Sequence, residues 1–313
     1  MENNVIVCIG PNPALDHTLV VPAFKVGVVS RAQSSLMAAG GKGLNVARAA
    51  QILGVQTISM GFLGGETGKK IAALAQAEGL DSRWSWIAGE TRTCVIVADP
   101  AAGDATVVNE SGPTVSSDDW ENLRKQLINE LSNASDICFS GSLPPGSPLE
   151  AYIDLIRLAA DSKKRVWVDT SGKSLQAVLA LQNIHIKVNG DEVGEILHRE
   201  VSDPAAAAAA ALELLQQGKQ SVVITLGKQG AVLADQSGCW YSQPPLIQVA
   251  DPIGSGDSFL AGLVTAFANN LPSHVALQHA VSAGAANATT VGGGDFPLHT
   301  FNTILSSTTL KEI

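Results

Sequence analysis

Apolar runs of strand length alternate along this chain with segments whose apolar residues recur at helical spacing. The runs fall at Val5–Ile9, 56–62, 136–140, Arg165–Asp169, 184–188 and 221–226. That order predicts a mostly parallel sheet covered by helices. Ser147-Pro148 and Asp203-Pro204 read as helix starts, each with a capping side chain ahead of a proline in the first helical position. The alanines at 205–211 then belong to an ordinary helix.

Two stretches, 19–38 and 94–109, break this rhythm. They read as short strands joined by turns such as Asp99-Pro100 and Gly103-Asp104, with no helix between them. A small separate sheet is expected there. Open parallel sheets bind ligands beyond the carboxyl ends of their strands, so a sheet emerging at that edge would form a lid. No internal repeat or linker divides the sequence. One domain is expected over residues 1–313, with lid strands from about 17–38 and 92–110.

Composition narrows the function classes. With 313 residues and 45% hydrophobic content the chain can bury one large core. Its formal charge of −9 repels nucleic acid and anionic lipid, so neither is an expected partner and an anionic small substrate must meet local positive groups. The apolar runs fall far short of the roughly 20 residues of a membrane span. Met1-Glu2-Asn3-Asn4 leads directly into a strand-like run without the features of a secretory signal, which suits a cytoplasmic chain. Cys8, Cys94, Cys138 and Cys239 are widely spaced and suit reduced core thiols, and the dispersed histidines offer no zinc spacing.

The most informative chemistry lies in Asp251-Pro252-Ile253-Gly254-Ser255-Gly256-Asp257-Ser258-Phe259, followed by helical apolar spacing. Small residues let the backbone approach a ligand closely. Successive N–H groups at a helix start carry partial positive charge, so Gly254, Ser255 and Gly256 can cradle a transferring phosphoryl group. A carboxylate beside such a cradle, Asp257, suits a base that accepts the proton of an attacking hydroxyl. A second glycine loop, Ala39-Gly40-Gly41-Lys42-Gly43-Leu44-Asn45, also opens a helix and carries a lysine and an asparagine. Two competing motifs fail. Gly64 to Lys70 has Leu63 and Lys70 where a P-loop needs glycine and a hydroxyl residue, and Gly254-Ser255-Gly256 lies too late in the chain for a dinucleotide fingerprint.

Together the two glycine segments resemble the signatures of the ribokinase-like carbohydrate kinases. The resemblance covers nearly the whole length, through Pro11-Asn12-Pro13-Ala14-Leu15-Asp16, Thr91-Arg92, Ser140-Gly141-Ser142-Leu143-Pro144, Asp169-Thr170-Ser171-Gly172, Asn189 to Glu192 and Thr225-Leu226-Gly227-Lys228-Gln229-Gly230. It implies an α/β three-layer sandwich with a mostly parallel central sheet and a small β-sheet lid, using ATP and Mg2+. It implies that Asp16, Gly40, Gly41 and Asn45 meet the sugar, and that Lys42 and Arg92 meet a phosphate at the sugar's far end. Asn189 and Glu192 are similar to the family element that organises magnesium, through water, around the nucleotide phosphates. Thr225, Gly227 and Gly230 resemble a nucleotide-binding turn, and Asn287 a purine-side contact. The segment Gly292-Gly293-Gly294-Asp295-Phe296 is expected at the rim of the nucleotide pocket.

Within the family, the Asn12 to Asp16 opening and the Gly40 to Gly43 loop resemble the branch acting on ketohexoses that are already phosphorylated. Pro252 and Ser255 favour tagatose 6-phosphate as substrate, with fructose 1-phosphate and fructose 6-phosphate as alternatives. Val28-Val29-Ser30-Arg31 lacks the lid lysine of the fructose 6-phosphate relatives. A reading of another class is a sugar-phosphate sensor that no longer turns over. The resemblance also implies a homodimer formed lid to lid.

Overall fold

Alternation within the strands decides the architecture. In the computed structural model of the chain, which describes residues 4–313, Val5, Val7 and Ile9 enter one apolar cluster while Ile6 and Cys8 enter another on the opposite side. A strand with both faces buried belongs in the middle of a sheet covered twice.

The chain runs β1 (Val5–Ile9), β2 (Ala14–Val20), β3 (Ser34–Gly40), α1 (Lys42–Ile52), β4 (Gln56–Leu63), α2 (Gly65–Ala77), β5 (Asp81–Trp86), β6 (Thr93–Asp99) and β7 (Asp104–Asn109). It continues with α3 (Ser117–Glu130), β8 (Ala134–Ser140), α4 (Leu149–Asp161), β9 (Arg165–Asp169), α5 (Gly172–Val178), β10 (His185–Asn189), α6 (Gly190–Leu197), α7 (Pro204–Gln216) and β11 (Ser221–Thr225). After a 3-10 turn at Gly227–Gln229 come β12 (Ala231–Asp235), β13 (Gly238–Gln243), α8 (Ser255–Ala268), α9 (Ser273–Ala288), α10 (Leu298–Leu305) and β14 (Thr309–Glu312).

The large sheet has ten strands in the order β14-β13-β12-β11-β10-β9-β8-β1-β4-β5. Parallel pairing is unbroken from β5 to β11, and β12, β13 and β14 join antiparallel beyond it. Helices α3 to α7 contribute to the cluster that holds Val7 and Ile9, while α1, α2, α8, α9 and α10 contribute to the one that holds Ile6 and Cys8. The expected three-layer sandwich is present. From β1 the chain builds first toward β4 and β5 and then toward β8 and β9. The resulting switch point between β1 and β8 opens a crevice at the strands' carboxyl ends.

Four strands form a separate sheet in the order β3-β2-β6-β7, with β2 and β6 parallel. The two stretches that broke the main rhythm do make this sheet, but its bounds differ from the expected ones. Strand β2 begins at Ala14 and β3 extends to Gly40, because the ladder runs on through Ala14 and Gly40 to the cleft, while residues 21–33 are not strand.

Helix starts follow local chemistry. Asp203 caps α7 by accepting from the Ala206 amide at 2.9 Å, with Pro204 first in the helix as expected. The other proposed cap is corrected. Pro148 keeps extended backbone and is itself the N-cap of α4, so the helix starts at Leu149 and the Ser147 hydroxyl is buried without a partner. All four cysteines are buried free thiols. Among the described residues no helix is long and apolar enough to cross a membrane. The expectation drawn from Met1 to Asn3 lies outside the described residues.

Candidate active site

Both glycine segments reach one cleft of about 530 Å³, a size that suits a small-molecule ligand. Gly254 caps α8 with φ +77°, and a Cβ there would collide with the Gly293 backbone. Only glycine satisfies both demands. The Ser255 amide donates to the Pro252 carbonyl at 3.2 Å, and the Asp257 and Ser258 amides donate back to Gly254 at 3.1 and 2.9 Å. Among the described residues, the Gly254 and Gly256 amides have no acceptor. Two free N–H groups at a helix N-terminus can hold an anion. Ser255, expected in the cradle, donates its amide inward to Pro252, and its hydroxyl accepts from Asn287 Nδ2 at 3.5 Å.

Asp257 lies in the first turn of α8, 6% exposed, and its Oδ2 accepts from Asn45 Nδ2 at 2.8 Å. Burial pushes its carboxyl up to about 6, against the pull of the Lys42 ammonium and the Asn45 amide. Behind it Asp169 is 1% exposed between two ammoniums, with Lys42 Nζ at 3.2 Å and Lys187 Nζ at 2.8 Å. Burial raises the Asp169 carboxyl, but Lys187 and Lys42 outweigh it and hold the group below the usual carboxylate range. Asp169 in turn holds Lys42 above the usual lysine range. Two cations on one carboxylate leave positive charge beside the free amides, and a Cβ at Gly256 would stand 3.2 Å from Lys187 Nζ.

Lys42 was assigned to a phosphate at the sugar's far end, yet its ammonium binds Asp169 and acts electrostatically on Asp257, at the cradle end. Arg92 lies on the side of the small sheet, where it lowers the pKa of Asp16. It donates to the Asn12 carbonyl from Nη2 at 2.9 Å and to the Glu110 carbonyl at 3.2 Å. Asp16 comes from β2, and burial pushes its carboxyl up to about 6 despite Arg48 and Arg92. Gly40 is buried, and a Cβ there would fall on the Asp16 carboxylate, so this glycine makes room for Asp16. Gly41, at φ +97°, turns the chain into α1 and directs its amide to Asp16.

On the opposite side of the cleft, Asn189 and Glu192 form a capping box at the start of α6, with bonds of 2.8 and 3.0 Å. Asn189 and Thr225 line the cleft. Thr225 also donates to the Val188 carbonyl at 3.4 Å. Gly227 turns at φ +56° with open space where a side chain would be, while Gly230, at φ +89°, is packed against the Ser242 carbonyl. Asn287, expected at the purine, lies away from the cleft surface. It is fully buried, donates to the Ile253 carbonyl at 2.7 Å, and accepts from the Ser258 hydroxyl and the Gly294 amide at 3.0 and 2.7 Å. It braces the loop that opens α8 and is not among the residues that line the cleft. Gly292 to Gly294 pack on that same brace, against Asp251, Gly254 and Asn45.

Sequence reasoning gave no role to Asp169, Lys187 or Arg48. Lys187 carried a signal, a charge inside the apolar run at 184–188, whereas Arg48 had none because an arginine on a helix resembles ordinary surface. The rejected P-loop shows the converse. The amides of Glu66 and Thr67 at the start of α2 are taken by the Glu90 carboxylate, at 3.3 and 2.5 Å, so that helix N-terminus is already satisfied from within.

Fold and cleft together define an enzyme class, a phosphotransferase with an alcohol acceptor. The chain belongs to the pfkB family of carbohydrate kinases, whose model matches residues 4–300. It is 29% identical over 313 residues to a tagatose-6-phosphate kinase of Staphylococcus epidermidis, covering 99% of this chain and 100% of the other. It is 28% identical over 277 residues to a 1-phosphofructokinase of Bacillus subtilis, covering 88% and 90%. Among solved structures, phosphofructokinase-2 from Escherichia coli in complex with potassium superimposes with a TM-score of 0.89 at 29% identity, over 98% of this chain and 99% of that one. Arabidopsis thaliana ribokinase, at 20% identity and a TM-score of 0.73 over 97% and 99%, shares the fold.

Proposed function

We propose that this kinase transfers the γ-phosphoryl group of ATP to a hydroxyl of a phosphorylated ketohexose, with tagatose 6-phosphate the leading substrate. The observation that carries the reading is Asp257, a buried carboxylate hydrogen-bonded by Asn45 and set in the same helical turn as two unpartnered amides. Asp16 and Asn45 orient the sugar hydroxyls. Asp257 accepts the proton of the attacking hydroxyl, and the Gly254 and Gly256 amides offset charge on the phosphoryl oxygens. Lys42 and Lys187 add positive charge at the same end, while Arg92 faces the far phosphate. Thr225 and Gly227 flank the nucleotide.

Magnesium, when bound, would neutralise the nucleotide phosphates. The residues fit it in a limited way: Glu192 engages one carboxylate oxygen in its capping box and keeps the other free, and among the described residues no group of three acidic, histidine or cysteine side chains could form a protein cage. An ion held mainly by water and phosphate suits that sparse donor set.

The substrate choice is supported by the full-length match to tagatose-6-phosphate kinase. The alternatives are fructose 1-phosphate, after the Bacillus relative, and fructose 6-phosphate, which occupies a phosphofructokinase-2 structure at a TM-score of 0.88 and 28% identity. A coupled ADP-release assay with MgATP tests all three beside free fructose and compares kcat/KM. Preference for one phosphorylated ketose supports the proposal and names the substrate. Turnover only with free sugar removes the phosphate role of Arg92, and binding without turnover makes the protein a sensor. Asp257→Ala should abolish transfer while sugar-phosphate binding persists.

A further inference from the structure

Arg48 lies on α1 one turn beyond Asn45, with its side chain 11% exposed. Four of its five N–H groups are engaged. Nε donates to Glu78 at 2.6 Å, Nη2 to the Ala39 carbonyl at 2.5 Å, and Nη1 to both the Gly293 carbonyl at 2.7 Å and Asn45 Oδ1 at 3.2 Å. A guanidinium only donates, so the face of the Asn45 amide turned toward Arg48 must be its oxygen. The other face, Nδ2, is then committed to Asp257 Oδ2 at 2.8 Å. Turned over, the amide would set its oxygen against a carboxylate oxygen and its NH2 against a cation.

We propose that Arg48 is the positioning residue for the base: by locking the Asn45 amide it keeps a hydrogen-bond donor on Asp257, and by holding Gly293 it ties that lock to the loop packed on Gly254. The inference rests on the reading of Asp257 as base. Arg48 touches neither substrate nor the reacting atoms. The other charged or titratable groups acting on Asp257 are Lys42 on α1, Asp169 at the end of β9, Lys187 on β10 and Asp16 on β2. None of them fixes the orientation of the Asn45 amide.

The test titrates the full chain labelled with 13C at aspartate carboxyls, the Asp257 signal being assigned with Asp257→Asn. In Arg48→Met the Asp257 titration should move up by roughly one pH unit, since a donor to the charged form is lost. The acid limb of kcat/KM should follow, with up to about a tenfold loss at pH 6 and little change at pH 8. Arg48→Lys keeps a charge but not the fork, so Asp257 should move in the same direction while Asp16 stays in place. Asn45→Ala should reproduce the Asp257 shift, and adding Arg48→Met to it should shift Asp257 no further. An unmoved Asp257 titration in both Arg48 variants, with activity lowered equally at every pH, overturns the proposal. A shifted Asp257 titration with an unmoved kinetic limb sustains the positioning role and instead removes Asp257 as base.

Discussion

At Asp257 reactivity and stability pull in opposite directions. A base must be ionised, so kcat/KM should rise as pH increases through about 6. Folding responds in the other sense. The carboxyl titrates near 6 in the fold against 3.8 ordinarily, so protonation favours the folded state between these values and that contribution is lost as pH rises through 6. Asp16 behaves alike. Asp257→Asn should therefore lower kcat by roughly 10²–10⁴-fold and raise Tm by a few degrees at pH 7.5, a gain that narrows toward pH 5; an unchanged Tm difference across that range would contradict the shift. Asn45 and Asp257 stood out in the sequence because polar side chains in glycine loops have few structural duties, whereas Asp16, on β2, stood out by resemblance alone. The bonds of Asn287 were hidden from the sequence for a physical reason. Its partners, Ile253, Ser258 and Gly294, meet only in the fold, so an amide in an alanine-rich helix resembles a ligand contact until its bonds are seen.

Among elements, the two helix starts at α2 and α8 present a controlled contrast. Each follows a glycine turn, yet α2 meets an internal carboxylate where α8 meets an open cleft. Glu90→Gln should speed hydrogen exchange at the Glu66 and Thr67 amides and leave kcat/KM within twofold, measured by exchange NMR beside the ADP assay. A large kinetic loss would mean that α2 contributes to turnover. Strand periodicity revealed the large sheet because both of its faces are buried, so its runs are continuously apolar. The limits of β2 and β3 were harder to read, since the ladder ends where Ala14 and Gly41 meet the cleft and hydrophobicity no longer decides the pairing.

For the whole molecule, the small sheet leaves Leu36, Met37, Val107 and Val108 exposed, with Val26, Val28 and Val29 in the turn beside them. Exposed apolar groups gathered on one element suit a partner, and the proposed partner is the lid of a second copy. Val108→Asp should convert a dimer to a monomer in light scattering at micromolar concentration. A wild-type chain that is already monomeric would refute that assembly.

The small sheet and its margins carry the residues proposed for the acceptor side, Asp16, Gly41 and Arg92, whereas the proposed cradle and its cations belong to α1, α8 and the main sheet. Acceptor choice can thus drift during evolution by substitution in β2, β3 and β6 while the transfer chemistry is inherited intact. Gene duplicates could acquire new sugars through changes confined to those strands, and ancestral reconstruction of them alone should exchange preference between paralogues.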